Sequence, residues 1–153
     1  MHFRDGTIRD AAQLAHVFFT AVRCGDSPYT EAQRAAWLPA KPTTENFVQR
    51  LSGQFVAVAE FRRTPVGFMT LRSDGYIDLA FIVPQARGQG AFRHMFEIVE
   101  KQVYSEGASR LWTHASLTAE PAFQAMGFSV IQREAVDCAG QKLRRALMEK
   151  KLT

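Results

Sequence analysis

Over the first fifty or so positions the apolar residues recur at helical spacing. From Gln54 onward they gather into short runs separated by turn residues. Leu14, Val17, Phe18 and Ala21 make an i, i+3, i+4, i+7 stripe, which predicts a helix from an Asp10 cap through about Arg23. A short strand is expected just before it, over Thr7–Arg9. "CGDSP" ends the helix with Gly25 and Pro28, and "TEAQRAAWL" opens the next with Thr30 and Gln33 at capping-box spacing. Pro39 and Pro42 interrupt the chain, and "TTENFVQRLSG" predicts a third short helix stopped by Gly53.

The runs after Gln54 read differently. "FVAVAEF" is apolar at most positions and predicts a buried strand. "RRTP" turns it into "VGFMTLR", an antiparallel neighbour, and "SDG" leads to a third strand from Tyr76 to Val83. A helix over about Gly90 to Ser105 follows, with Phe92, Phe96, Val99 and Val103 on one stripe and Gly107 ending it. "RLWTHAS" predicts a strand, "AEPAFQAM" a short helix closed by Gly127, "FSVIQREAV" a strand, and Leu143 to Glu149 a closing strand. This order does not alternate strictly enough for a doubly wound fold. It implies a mixed α/β architecture, a mostly antiparallel sheet with helices on its faces.

Composition narrows the class. A chain of 153 residues with 46% hydrophobic and 22% charged residues has the makings of one folded domain over 1–153. No apolar stretch approaches bilayer-spanning length and the first residues lack the apolar core of a signal peptide, so no membrane role is expected and the cytoplasm is the expected location. Cys24 and Cys138 stand alone, without metal-ligand spacing to the four histidines, so free thiols and no metal are expected. The net charge of +4 suits an anionic ligand. It does not form the clustered basic and aromatic pattern of a nucleic-acid binder, so no nucleic acid is expected.

The chemistry concentrates in "PQARGQGAFRHMF". Arg87, Gly88, Gln89 and Gly90 follow a strand and open a helix, where the first N–H groups lack intrahelical partners and the helix end carries partial positive charge. Such a turn cradles phosphate oxygens, with glycines allowing close approach. The same glycines would also serve a plain strand-to-helix turn. The lack of GK[ST] excludes a P-loop, and Arg93 stands where a dinucleotide fingerprint needs its third glycine.

With these residues in view the chain resembles the GNAT superfamily of N-acetyltransferases, whose acetyl-CoA motif Q/R-x-x-G-x-G/A is matched by Arg87, Gly90 and, at its last place, Phe92. "TIRDA", "FVAVAE", "PVGFMTL", "AFQAMGF" and "LMEKKL" extend the likeness over nearly the whole length. The resemblance implies the GNAT fold. It also implies acetyl-CoA as co-substrate and acetyl transfer to a primary amine of a small molecule or peptide by direct attack on the thioester. It places pantetheine beside Phe81, Ile82 and Val83, with a backbone N–H there, that of Ile82, polarising the thioester oxygen. The diphosphate would lie on the N–H groups from Gly88 through Gln89, Gly90, Ala91 and Phe92 to Arg93, with Arg87 adding a charged contact. Ser116 and Phe123 fall at positions near the coenzyme. Relatives are often dimers, which implies a homodimer.

Two positions depart from the pattern. Phe92 replaces a small residue, and its ring either crowds the diphosphate or joins the core stripe. Phe123 stands where many relatives carry a tyrosine that protonates the leaving thiolate. Together they keep open a CoA-binding sensor without catalysis. Candidate bases are Asp78, early in the strand that would hold the thioester, and His114, which shares strand parity with Trp112 and Ser116. Each has a structural alternative, an ion-paired strand end for Asp78 and a packed imidazole for His114. Tyr29 and Trp37 would wall the acceptor site, or Trp37 would anchor the core. Arg144 and Arg145 read as a solvated strand face.

Overall fold

The computed structural model describes residues 1–153. Seven strands form one sheet: β1 (His2–Asp5), β2 (Phe55–Phe61), β3 (Thr64–Leu71), β4 (Tyr76–Ile82), β5 (Arg110–Ser116), β6 (Ser129–Cys138) and β7 (Gln141–Lys151). Their spatial order is β1-β2-β3-β4-β5-β7-β6, antiparallel at every junction except β4–β5. Helices α1 (Ala11–Arg23), α2 (Glu31–Trp37), α3 (Thr44–Leu51), α4 (Ala91–Ser105) and α5 (Glu120–Ala125) cover it. The mixed α/β architecture and the order of elements agree with the sequence pattern.

The strand expected over Thr7–Arg9 is absent. The first strand lies earlier, at His2–Asp5, and Thr7 opens a 3-10 turn over Ile8–Asp10. Thr7 accepts from the Arg9 N–H while the Asp10 carboxylate accepts from the Thr7 N–H and from both ends of the Arg4 guanidinium (3.0 and 2.7 Å). Local side-chain bonding thus outcompetes a ladder at this point. Asp10 does precede α1, but its side chain makes no bond to that helix.

Each face of the sheet carries its own core. α4 lays Ala91, Met95, Phe96, Val99 and Val103 against Ala57, Met69, Leu71 and Ile77. On the other face α1 and α3 bring Leu14, Val17, Phe18, Phe47 and Leu51 onto Val58, Phe68 and Leu79. An eight-residue helix such as α3 is not stable alone; burying Phe47 and Leu51 contributes about 1.5–3 kcal/mol per side chain and holds it in place.

Alternation along β4 is broken in a way that matters for the site. Ile77 faces the α4 core and Leu79 faces the α1 core, although residues two apart in a strand normally share a face. The register explains it: Leu71 pairs with Ile77 and Met69 with Ala80, so Asp78 and Leu79 together oppose Thr70. This is a β-bulge, with the Thr70 hydroxyl accepting from the Leu79 N–H (3.0 Å). Just beyond it β4 leaves β5. The parallel pair extends only over Tyr76–Trp112 and Ile77–Thr113, and Thr113 Oγ1 closes the junction by donating to the Ile77 carbonyl (2.8 Å).

Candidate active site

The wedge between the diverging ends of β4 and β5 holds two cavities. The first, about 390 Å³, runs from the Gly88–Arg93 turn past Ile82 and Phe92 to Trp37, Ala80, Phe81, Ser116 and Ala119. The second, about 490 Å³, shares those last five residues and continues between Phe18, Phe47, Asp78, Tyr76, His114 and Arg145. They meet where the two strands part.

At the mouth of the first cavity the backbone N–H groups of Gly88, Gln89, Gly90, Ala91, Phe92 and Arg93 have no acceptor within the protein. Gly90, at φ +84°, sits in the left-handed region as the residue preceding α4, and the first turn of α4 carries no acidic residue to offset the helix dipole. Beneath the turn, Arg87 donates to the carbonyls of Ile82 (3.1 Å), Ala21 (3.0 Å) and Asp26 (3.4 Å). Arg34, buried, donates to Val22, Cys24 and Gly25 (2.5, 2.6 and 2.9 Å). Each side-chain partner is a neutral carbonyl, so the two guanidinium charges stand without a carboxylate partner. Burial, and secondarily the charge of Arg34, lowers the Arg87 pKa from its usual range. An anion on the turn would relieve both costs.

The hydrogen bonds along β4 fix which backbone groups face the wedge. Val83 N–H donates to Val66 and Leu79 N–H to Thr70, both toward β3. Alternation then turns the N–H groups of Ala80 and Ile82 toward the wedge. The Ile82 carbonyl points the same way and receives Arg87 Nε.

The expected site residues fall into groups. Phe81, Ile82, Arg87, Gly88, Gly90, Ala91, Phe92, Arg93 and Ser116 line the first cavity. Val83 does not, its N–H being bonded to Val66. Gln89 presents its backbone to the turn while its amide returns to the Gln85 carbonyl (3.0 Å). Arg87 reaches the cavity, yet its fork is occupied by carbonyls, so it shapes the turn from below. Phe92 is half-buried, its ring edge-on to Phe123 (5.0 Å, 87°), and forms part of the cavity wall while leaning on the α4 core. Phe123 is fully buried against Phe92 and Phe128, and it borders the second cavity instead of the first.

Among the polar candidates, Asp78 is held by Arg50 (2.7 and 3.0 Å) and Gln54 (3.0 Å). Burial pushes its carboxyl upward, but those donors outweigh it and leave the pKa below the ordinary value. Ser116 Oγ accepts from the Ala119 N–H (3.1 Å). His114 shares the half-buried face of β5 with Trp112 and Ser116, as parity required, and its Nδ1 lies 2.8 Å from the Tyr76 hydroxyl. Trp37 stands at the junction of the cavities, 6.0 Å from Phe81 between ring centroids.

Tyr29 lies outside both linings. It is buried, with its hydroxyl donating to the Arg144 carbonyl (2.5 Å) and accepting from the Leu117 N–H (2.9 Å), and its ring sits edge-on to Trp37. It supports Trp37 from behind. Arg145, read from sequence as solvated, pairs with Glu134 (2.6 Å) and borders the second cavity. Tyr76 and the hydroxyls of Thr70 and Thr113 owe their roles to strand register, and Arg34 to the packing of α2 on the end of α1, neither of which a local motif encodes. Arg34 alone offered a hint, as a cation in the middle of a capped seven-residue helix.

A helix N-terminus with free N–H groups, set against a strand wedge where two cavities meet, can receive an anionic, extended ligand. The comparisons give the chain its family. A family model described as an acetyltransferase (GNAT) domain matches residues 26–152. The chain belongs to the GNAT acetyltransferase family and is an N-acetyltransferase by that membership. It is similar to the N-acetyltransferase YafP of Escherichia coli K12, 31% identical over 132 residues that cover 86% of this chain and 83% of YafP. A GCN5-related N-acetyltransferase from Rhodopseudomonas palustris matches with a TM-score of 0.88 at 31% identity, over 99% of this chain and 95% of that one. YncA from Salmonella typhimurium, solved with its cofactor acetyl-CoA, shares the fold alone: TM-score 0.74 at 16% identity, over 100% and 94% of the two chains. No group of histidine, cysteine and acidic side chains is placed to hold a metal, and no helix is long and apolar enough to cross a membrane.

Proposed function

We propose that this protein moves the acetyl group of acetyl-CoA to a primary amine of a small molecule or peptide by direct attack of the amine on the thioester. The observation that carries this reading is the run of partnerless N–H groups from Gly88 to Arg93, opening onto a cavity that continues through the β4–β5 wedge into a second one. Acetyl-CoA, when bound, supplies the activated acetyl thioester. The residues present fit it. The turn offers N–H donors to a diphosphate, with the positive charge of Arg87 beneath it, and the free edge of β4 offers alternate backbone groups to an extended chain. The Ile82 N–H, or its neighbour on Ala80, is placed to stabilise negative charge on a carbonyl oxygen in the wedge. Phe18, Trp37, Phe47 and Phe81 give the second cavity an apolar wall suited to an amine with an aromatic or aliphatic body.

Calorimetry with CoA, joined to thiol release from acetyl-CoA in the presence of 2-phenylethylamine or a short peptide with a free N-terminus, tests the reading. CoA at about 100 times its dissociation constant should stabilise the fold by roughly 2.7 kcal/mol. Gly90→Ala places a side chain in left-handed backbone at a cost of roughly 1–2 kcal/mol, and should weaken CoA binding about tenfold if the turn tightens on the diphosphate. No CoA binding at millimolar concentration would refute the reading. A second reading, a CoA sensor without turnover, draws support from the missing hydroxyl at Phe123 and the ion-paired state of Asp78. CoA binding without thiol release from any amine would favour it.

A further inference from the structure

We propose that Tyr76 takes the proton of the acceptor amine and hands it to His114, with Glu134 holding the imidazolium that results. This rests on the acetyl-transfer reading and assigns the step that reading leaves open.

The candidates for a base narrow by elimination on the geometry. Asp78 is fixed by Arg50 and Gln54, and Phe123 has no ionisable group. The Ser116 hydroxyl is engaged by Ala119. What remains is a chain of close contacts along one wall of the second cavity: Tyr76 Oη to His114 Nδ1 at 2.8 Å, then His114 Nε2 to Glu134 Oε1 at 3.6 Å. Tyr76 and His114 both border the cavity. His114 lies one same-face step, roughly 7 Å along β5, from Ser116, where the two cavities join. Each link comes from a different strand, and the β4–β5 register that sets Tyr76 opposite Trp112 brings the phenol to the imidazole.

The surroundings set the resting protonation states of the pair, and the proton is drawn off by its later release to solvent at neutral pH. Burial, then the positive charge of Arg145, lowers the His114 pKa, and Glu134 only partly opposes them. The imidazole is therefore neutral at pH 7 and free to accept. Burial, then the negative charge of Asp78, raises the Tyr76 pKa, so the phenol stays protonated and works as a conduit. Other charges near the pair are Arg72, stacked over the Tyr76 ring at 4.5 Å, and Arg50, which Asp78 neutralises. Glu134 is itself paired with Arg145 at 2.6 Å, beside the ring.

The step balances as follows. The acceptor arrives as an ammonium, with a pKa of about 10. Its N–H proton passes to Tyr76 Oη as the phenolic proton passes to His114 Nδ1, so the phenol is restored, the amine is neutral and His114 carries one positive charge. Nε2–H then faces Glu134, and the ring, about a quarter exposed, returns the extra proton to solvent. Tyr76 is the catalytic residue here because it touches the acceptor; His114 and Glu134 act through it.

The test is the pH dependence of kcat for thiol release from acetyl-CoA with 2-phenylethylamine, for wild type, Tyr76→Phe, His114→Gln and Glu134→Gln. The wild type should show an acidic limb below the ordinary imidazole value. Tyr76→Phe and His114→Gln should each lower kcat about a hundredfold and abolish that limb, with KM for acetyl-CoA within twofold. Glu134→Gln should move the limb to lower pH. NMR titration of the His114 ring supplies a measurement independent of turnover, in which Tyr76→Phe should shift the midpoint. If His114→Gln keeps the wild-type limb, or the His114 midpoint ignores Tyr76→Phe, the relay is wrong while acetyl transfer stands. If the wild type fails to bind CoA in calorimetry, the acetyl-transfer reading falls and the relay with it.

Discussion

The two ends of the β4–β5 wedge are built from different materials. The end proposed to take the acetyl donor is backbone: successive N–H groups at the start of α4 and alternate groups along β4, held by arginines that touch only carbonyls. The acceptor end is side chain, with aromatic walls from α1, α2, α3 and β4, and polar groups from α3, β4, β5 and β7. A backbone surface binds the part of a ligand that never varies and tolerates substitution at the residues presenting it. A side-chain surface can be rebuilt position by position. On the proposed acetyl-transfer reading, the constant partner, the coenzyme, takes one end and the variable acceptor the other.

If the donor end is backbone, its weak point is whatever holds that backbone in place. Arg34 bonds the carbonyls of Val22, Cys24 and Gly25, and Gly25 abuts Pro84 so closely that an added Cβ would lie 2.6 Å from it. This packing links the end of α1 to the turn before α4. Arg34→Met keeps much of the volume and strands three carbonyls. The expected loss is roughly 3 kcal/mol, set by unsatisfied buried groups, with weaker CoA binding as a consequence. Chemical denaturation and calorimetry read the two effects. A large stability loss with unchanged CoA affinity would show that the turn stands without its arginine prop.

The next effect bears on the acceptor end. Tyr29→Phe removes a hydroxyl that serves both the Leu117 N–H and the Arg144 carbonyl. Leaving such groups unpaired costs about 1–3 kcal/mol. Because Tyr29 stands behind Trp37 and lines neither cavity, the acceptor KM should change by less than about threefold, well under 1 kcal/mol. A tenfold change in KM at unchanged stability would return Tyr29 to the acceptor wall.

The same contrast explains what could be read before the fold was known. The turn into α4 was legible because it leaves a local signature: Gly88 and Gly90 between a strand and an apolar helical stripe. Helix and strand order followed from period alone, including the capping box of Thr30 and Gln33. The acceptor end was legible only in part. Parity placed His114 with Ser116, yet nothing local could bring Tyr76 to His114 or Glu134 to Arg145, since those pairs depend on register between strands far apart in sequence. The bulge at Asp78–Leu79 reverses parity inside β4, so a period-two reading of that strand misassigns which face each residue takes. Thr7–Arg9 failed for a local reason, because the Thr7 hydroxyl takes the Arg9 N–H and the Asp10 carboxylate takes the Thr7 N–H in preference to an extended chain.

The smallest effect separates Asp78 from the proton path. Its carboxylate is held below the usual range by Arg50 and Gln54 despite burial, so the folded state binds the proton less readily than the unfolded chain. The stability this confers is fully present above the unfolded pKa of about 3.9 and is lost as pH falls through the lower folded value. Asp78→Asn should therefore flatten the fall in stability below pH 4. At neutral pH it should cost on the order of 1 kcal/mol or less, because the side chain of Arg50 is 49% exposed and solvent screens the pair. Denaturation midpoints at pH 3, 4 and 7 measure this. The pH limb of kcat should keep its wild-type position in the variant, whatever happens to the absolute rate, if the titrating group is His114. A limb that disappears with Asp78 and survives in His114→Gln would transfer the proton step to the carboxylate and leave the imidazole as packing.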